Sequence, residues 1–101
     1  MDNNTIAILE DYQSKIDMAF KKIEKIIREF EGADSSQQNL AINSLKKDTA
    51  NNKTNIGLMK MELSNLKEEA NAIKWQEILA ELQTKNDNLK ITISNLEAKK
   101  K

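Results

Sequence analysis

The stretch AINSLKKDTANNKTNIGLMKMELSNL, residues 41–66, decides the fold. Within it Ile42, Leu45, Thr49, Asn52, Ile56, Met59, Leu63 and Leu66 alternate spacings of three and four. That spacing puts all eight on one stripe of an α-helix, and a helix with a single apolar stripe must bury it against a partner. Two flanking stretches repeat the pattern. Leu9, Tyr12, Ile16, Ala19, Ile23, Ile26 and Phe30 precede it, and Trp75, Leu79, Leu82, Asn86, Leu89, Ile93 and Leu96 follow. Three striped helices on one short chain predict an all-α protein, an elongated antiparallel up-down-up three-helix bundle in a single domain spanning residues 1–101.

The spacing predicts helices over about residues 5–30, 36–69 and 72–98. Gly32 stands where a left-handed residue after the first helix is wanted. Ser35 and Gln38 have capping-box spacing for the second. The middle of the second helix is its weak part. Thr49 and Asn52 hold core positions, Asn51 and Asn55 are poor helix formers, and Gly57 costs roughly 1 kcal/mol relative to Ala. Two readings of this polar layer stand side by side: a buried Asn that fixes register, or a bundle that splays open and leaves both side chains wet. If no partner needs the layer, Asn52→Leu is expected to stabilise the fold.

The second link is harder to place, because residues 67–74 contain neither Gly nor Pro. The stripe nevertheless shifts between Leu66 and Trp75, and Asn71 can cap a new helix, so a turn is expected at about residues 69–71. The competing reading joins the second and third helices into one long helix that self-associates as a coiled coil. Tyr12, Phe20, Phe30 and Trp75 are the expected bulky core residues. Asp11 with Lys15, Asp17 with Lys21, Glu24 with Arg28 and Glu81 with Lys85 are the expected intrahelical ion pairs.

Composition narrows the function. Sixteen basic and sixteen acidic side chains cancel, whereas a nucleic-acid binder carries a basic excess that releases counterions. Cysteine and histidine are absent, which removes disulfides, thiolate nucleophiles, imidazole bases and the usual zinc sites. No apolar run approaches the ~20 residues of a membrane span. Asp2, Asn3 and Asn4 stand where a signal peptide carries positive charge, so the chain is expected to be soluble. A narrow bundle offers no concave, desolvated pocket to tune carboxylates, so neither enzyme activity nor a cofactor is expected. Recognition of another protein remains.

Charge and apolar patterning point to a surface for it. Lys46, Lys53, Lys60 and Lys67 recur every seven residues beside the core stripe of the second helix, and Glu10, Asp17, Glu24 and Glu31 do so on the first. These are either solvated flanks or a two-signed surface that orients a partner. Met18, Leu58, Met61 and Ile91 fall at positions facing water. Leu58 and Met61, three apart, form the candidate partner site, with Lys53, Lys60 and Lys67 as its basic rim.

The order of features resembles a known domain. Glu10-Asp11-Tyr12 opens the first helix, and Leu58-Met59-Lys60-Met61-Glu62-Leu63 is similar to the Leu-x-x-Met-(Asp/Glu)-Leu stretch that closes the second helix in the N-terminal domain of the vesicle-transport v-SNARE family, a Qb-SNARE group. Leu82 and Leu89 sit at spacings similar to that family's third helix. This chain departs in having no Pro in the second link and Lys85 where an aromatic is usual. The bundle is expected to be a monomer, and the resemblance implies that it is a cytosolic regulatory domain carried by a SNARE on the cytoplasmic face of Golgi and endosomal membranes. It implies as partners a sorting adaptor, such as an epsin-related ENTH-domain protein, and other SNAREs. A SNARE heptad region and a membrane anchor are then expected after Lys101.

Overall fold

Each of the three stripes becomes the buried face of one helix. In a computed structural model describing residues 2–100, α1 spans Asn3–Glu29, α2 spans Ser35–Leu63 and α3 spans Glu69–Lys99. The helices run up, down and up in a molecule measuring 53 × 18 × 17 Å. α2 is the central partner and packs closely on both α1 and α3, while α1 and α3 approach each other less closely. Leu9, Ile16, Phe20 and Ile23 of α1 are buried, with Phe30 just beyond its end. They share one core with Ile42, Leu45, Ile56 and Met59 of α2 and with Trp75, Leu79, Leu82 and Ile93 of α3. Tyr12 lies at the edge of this core, only partly buried, so three of the four aromatics supply its bulk.

One layer of the core is polar. Thr49, Asn52 and Asn86 are all buried. Asn52 Nδ2 donates to Asn86 Oδ1 at 3.3 Å, and Asn86 Nδ2 donates to the Thr49 carbonyl at 3.1 Å. The Thr49 hydroxyl donates back into its own helix, to the carbonyls of Leu45 at 3.0 Å and Lys46 at 3.1 Å. Of the two sequence readings, the buried and bonded layer is the one present.

The helix ends correct several expectations. The capping box of α2 is built one residue earlier than Ser35 and Gln38. The Asp34 carboxylate accepts from the Gln37 N–H at 2.8 Å, and Gln37 Oε1 accepts from the Asp34 N–H at 3.3 Å. Gln38 is instead buried, and its Nε2 donates at 2.9 Å to the Phe30 carbonyl, which also accepts from the Ala33 N–H at 3.2 Å. Gly32 does not adopt a left-handed conformation; no glycine among the described residues has positive φ. α2 ends at Leu63 rather than near residue 69, and the second turn lies at residues 64–68 rather than 69–71. Asn71 falls within the first turn of α3 instead of capping it.

The amides of that second link are fully accounted for. Those of Ser64, Asn65 and Leu66 bond three residues back, to Met61, Glu62 and Leu63, which tightens the last turn of α2. Those of Lys67 and Glu68 donate to the carboxylate of Asp2, at 2.9 and 3.0 Å.

Ion pairs mostly join helices rather than turns of one helix. Lys22 reaches Asp48 at 3.1 Å between α1 and α2, and Lys46 reaches Glu97 at 2.8 Å between α2 and α3. Lys85 reaches Glu24 at 3.1 Å between α3 and α1, and its Nζ lies 4.7 Å from the centre of the Phe20 ring. Of the expected intrahelical pairs, Asp11 with Lys15 forms at 3.3 Å. Lys85 and Glu24 find each other instead of Glu81 and Arg28.

Candidate recognition surface

Because the α2 stripe faces inward between α1 and α3, residues off the stripe lie on its outer face. Leu58 and Met61, three apart and therefore neighbours on the helix surface, are 40% and 71% exposed. Met18 and Ile91 are also exposed. The side chains of Lys53 and Lys60 lie on the strip of α2 that turns toward α3, where they line the α2–α3 groove. One segment of this groove, of about 560 Å³, is walled by Lys46, Ala50, Lys53 and Thr54 against Lys90 and Ser94. The next, of about 180 Å³, is walled by Lys53, Gly57 and Lys60 against Gln83 and Asp87. Lys53 lines both.

The lysine stripe is not uniform in what it can do. Lys46 is committed to Glu97, whose carboxyl that hydrogen bond holds below the ordinary glutamate range. Lys53 and Lys60 are exposed and form no ion pair among the described residues, so their charge remains available to a carboxylate from outside. Lys67 does not continue the row as the sequence suggested, because it lies in the link beyond α2, where its backbone N–H is bonded to Asp2. The structure therefore brings together Leu58, Met61, Lys53 and Lys60 on one helix, and leaves Lys67 off it.

A second apolar surface was not read from the sequence. Where α1 turns into α2, Ile26, Phe30, Ala33, Leu40 and Ala41 line an open groove of about 740 Å³, with Leu40 67% exposed. Its signal was present, since Leu40 stands off the α2 stripe just as Leu58 does. Its partners come from a link whose path the sequence does not specify.

These groups are suited to contact rather than reaction. Leu58 and Met61 offer apolar area, and the lysines offer fixed cations that attract acidic groups. Among the described residues no group of three or more acidic side chains could hold a metal ion. No helix among them is long and apolar enough to cross a membrane. The chain matches no protein-family model, no curated protein and no solved structure.

Proposed function

We propose that this bundle is a protein-recognition domain: the N-terminal regulatory domain of a SNARE acting in Golgi–endosome vesicle trafficking, which binds a sorting adaptor with an ENTH domain. The observation that carries the recognition reading is the pair Leu58 and Met61. They are exposed one turn apart on the outer face of α2, and the strip of the same helix that faces the α2–α3 groove carries Lys53 and Lys60, which form no ion pair among the described residues. The three core stripes are already satisfied within the chain, so these apolar groups are surplus to folding. The assignment to the SNARE class rests on the Leu58–Leu63 stretch and on the order of the helices. It places the domain on the cytoplasmic face of the membranes where such SNAREs work, with other SNAREs as further partners.

In this reading Leu58 and Met61 are the apolar anchors, and Lys53 and Lys60 steer an acidic rim on the adaptor. A standard interface takes about 800 Å² from each side, with a few central residues carrying most of the energy. The buried Asn52–Asn86 bond supports a monomer over a self-associating coil, because the polar layer finds its partners without a second chain.

Titration calorimetry against an ENTH domain of an epsin-related adaptor tests the reading. The wild-type domain binds, and the Leu58→Ser/Met61→Ser variant loses about 1–2 kcal/mol for each anchor. Circular dichroism confirms that the variant keeps its helical content. Charge-reversal at Lys53 or Lys60 acts chiefly on association rate and salt dependence. Unchanged affinity in the folded variant rules out this surface, and absence of binding by the wild type counts against the SNARE assignment.

A further inference from the structure

Local sequence weakens α2 at its end without breaking it. The link Ser64-Asn65-Leu66-Lys67-Glu68 holds no Gly or Pro, and Leu66, Lys67 and Glu68 are good helix formers. Only Ser64, whose hydroxyl donates to the Met61 carbonyl at 2.7 Å, and Asn65 are poorer ones. Glu68, at the N-cap position of α3, makes no side-chain capping bond. What interrupts the helix comes from the other end of the sequence. Asp2 is 4% exposed, and its carboxylate accepts from the backbone N–H groups of Lys67 at 2.9 Å and Glu68 at 3.0 Å and from Asn71 Nδ2 at 3.1 Å.

Asp2 stands at the N-cap position of α1 yet makes no side-chain bond to that helix. Its carboxylate serves the start of α3 instead. The two amides it holds are the ones that a continuous helix would have to direct to the carbonyls of Leu63 and Ser64. While Asp2 holds them, the chain must turn.

We propose that Asp2 is a latch that keeps α3 folded back on α2, and that releasing it lets residues 64–68 become helical, so that two copies of this chain exchange their third helices. The geometry of exchange is feasible. Freed of Asp2, the Lys67 and Glu68 amides regain partners within the helix, and α2 and α3 join into one rod. The α3 of a second copy then takes the place vacated on α2, rebuilding the core contacts of α3, including the Asn52–Asn86 bond, between chains, while α1 stays packed on the α2 of its own chain. Exchange of an identical element is a low-cost route to a dimer, because the interface already exists within the monomer. The shift of stripe between Leu66 and Trp75 does not oppose it, since each half of the joined helix packs in its own bundle.

The test compares the wild type with Asp2→Ala and with the closer isostere Asp2→Asn, by light scattering coupled to size exclusion over a concentration series. The chain has no cysteine, so spin labels are placed at Asn51→Cys and Asn88→Cys, both exposed, with labelled chains diluted into unlabelled ones. In the monomer both labels lie on adjacent helices of a molecule 18 Å across. In a joined helix they lie about 55 Å apart along the rod. The wild type is expected to be monomeric with the short distance. Asp2→Ala is expected to raise the dimer association constant about tenfold or more, from the loss of charge-assisted bonds, and to show the long distance. Asp2→Asn should fall between them. Adding Asn65→Gly to Asp2→Ala should lower the dimer association constant again by about two- to threefold, because Gly disfavours the joined helix in both chains. Either Asp2 variant remaining monomeric at the short distance overturns the proposal. So does a dimer that keeps the short distance, or a variant that loses helicity without dimerising.

Discussion

Asn52 and Asn86 meet across the α2–α3 interface through a 3.3 Å hydrogen bond in the polar layer of the core. Each is on its helix's core stripe, and their pairing specifies which turn of α3 lies opposite which turn of α2. A slip of one turn would leave both amides buried without partners, at a cost of about 1–3 kcal/mol for each group.

This relationship reverses one sequence expectation. Asn52→Leu alone strands the Asn86 carbonyl oxygen and is expected to destabilise the bundle by about 1 kcal/mol, the added apolar burial offsetting part of the loss. The double variant Asn52→Leu/Asn86→Leu removes both polar groups and is expected to be at least as stable as the wild type. Urea unfolding of the two single variants and the double completes the cycle. Additive effects would show that the two amides are not coupled.

Gly57 is exposed, and a Cβ built there meets nothing within 4 Å. Gly57→Ala is therefore expected to stabilise α2 by about 0.5–1 kcal/mol through reduced backbone entropy in the unfolded chain. Thermal unfolding reads this as a rise in Tm. A fall would reveal a steric demand for Gly at this position.

Asp2 makes the stability acid-sensitive. The backbone N–H groups of Lys67 and Glu68, and after them the Asn71 side chain, favour its charged form and hold its carboxyl below the usual aspartate range. A depressed folded-state pKa gives a contribution that is fully present above the unfolded value of about 3.9 and is lost as the pH falls through the folded value. The stability difference between wild type and Asp2→Ala is thus expected to be constant near neutral pH and to shrink below pH ~4. Unfolding measured across that range checks the sign, and a difference that grows on acidification would contradict it.

The stripes were legible because helical periodicity is a local property of the chain, and nearly every stripe residue is buried or partly buried. The second link was read from the shift of stripe but placed a few residues late, because the carboxylate that binds its Lys67 and Glu68 amides belongs to Asp2, far away in sequence. The capping box was misplaced by one residue for a related reason. Asp34-Ser35-Ser36-Gln37-Gln38 contains two sets of residues with the right spacing, and the choice is settled when Gln38 is drawn under the Phe30 carbonyl. Of the candidate surface, the exposure of Leu58 and Met61 followed from their positions off the stripe. Lys67 was misjudged along with the end of α2. The groove beside Leu40 depends on the path of residues 30–34, which helical spacing does not reveal.

The most direct measurement of recognition through the outer face of α2 is a titration of isotope-labelled domain with an unlabelled ENTH domain, followed by amide and methyl NMR. The largest shift changes are expected on Leu58 and Met61, with smaller ones at Lys53, Gly57 and Lys60 and little change along α1. Shift changes centred on α1 or on the groove beside Leu40, or none at all, would contradict it.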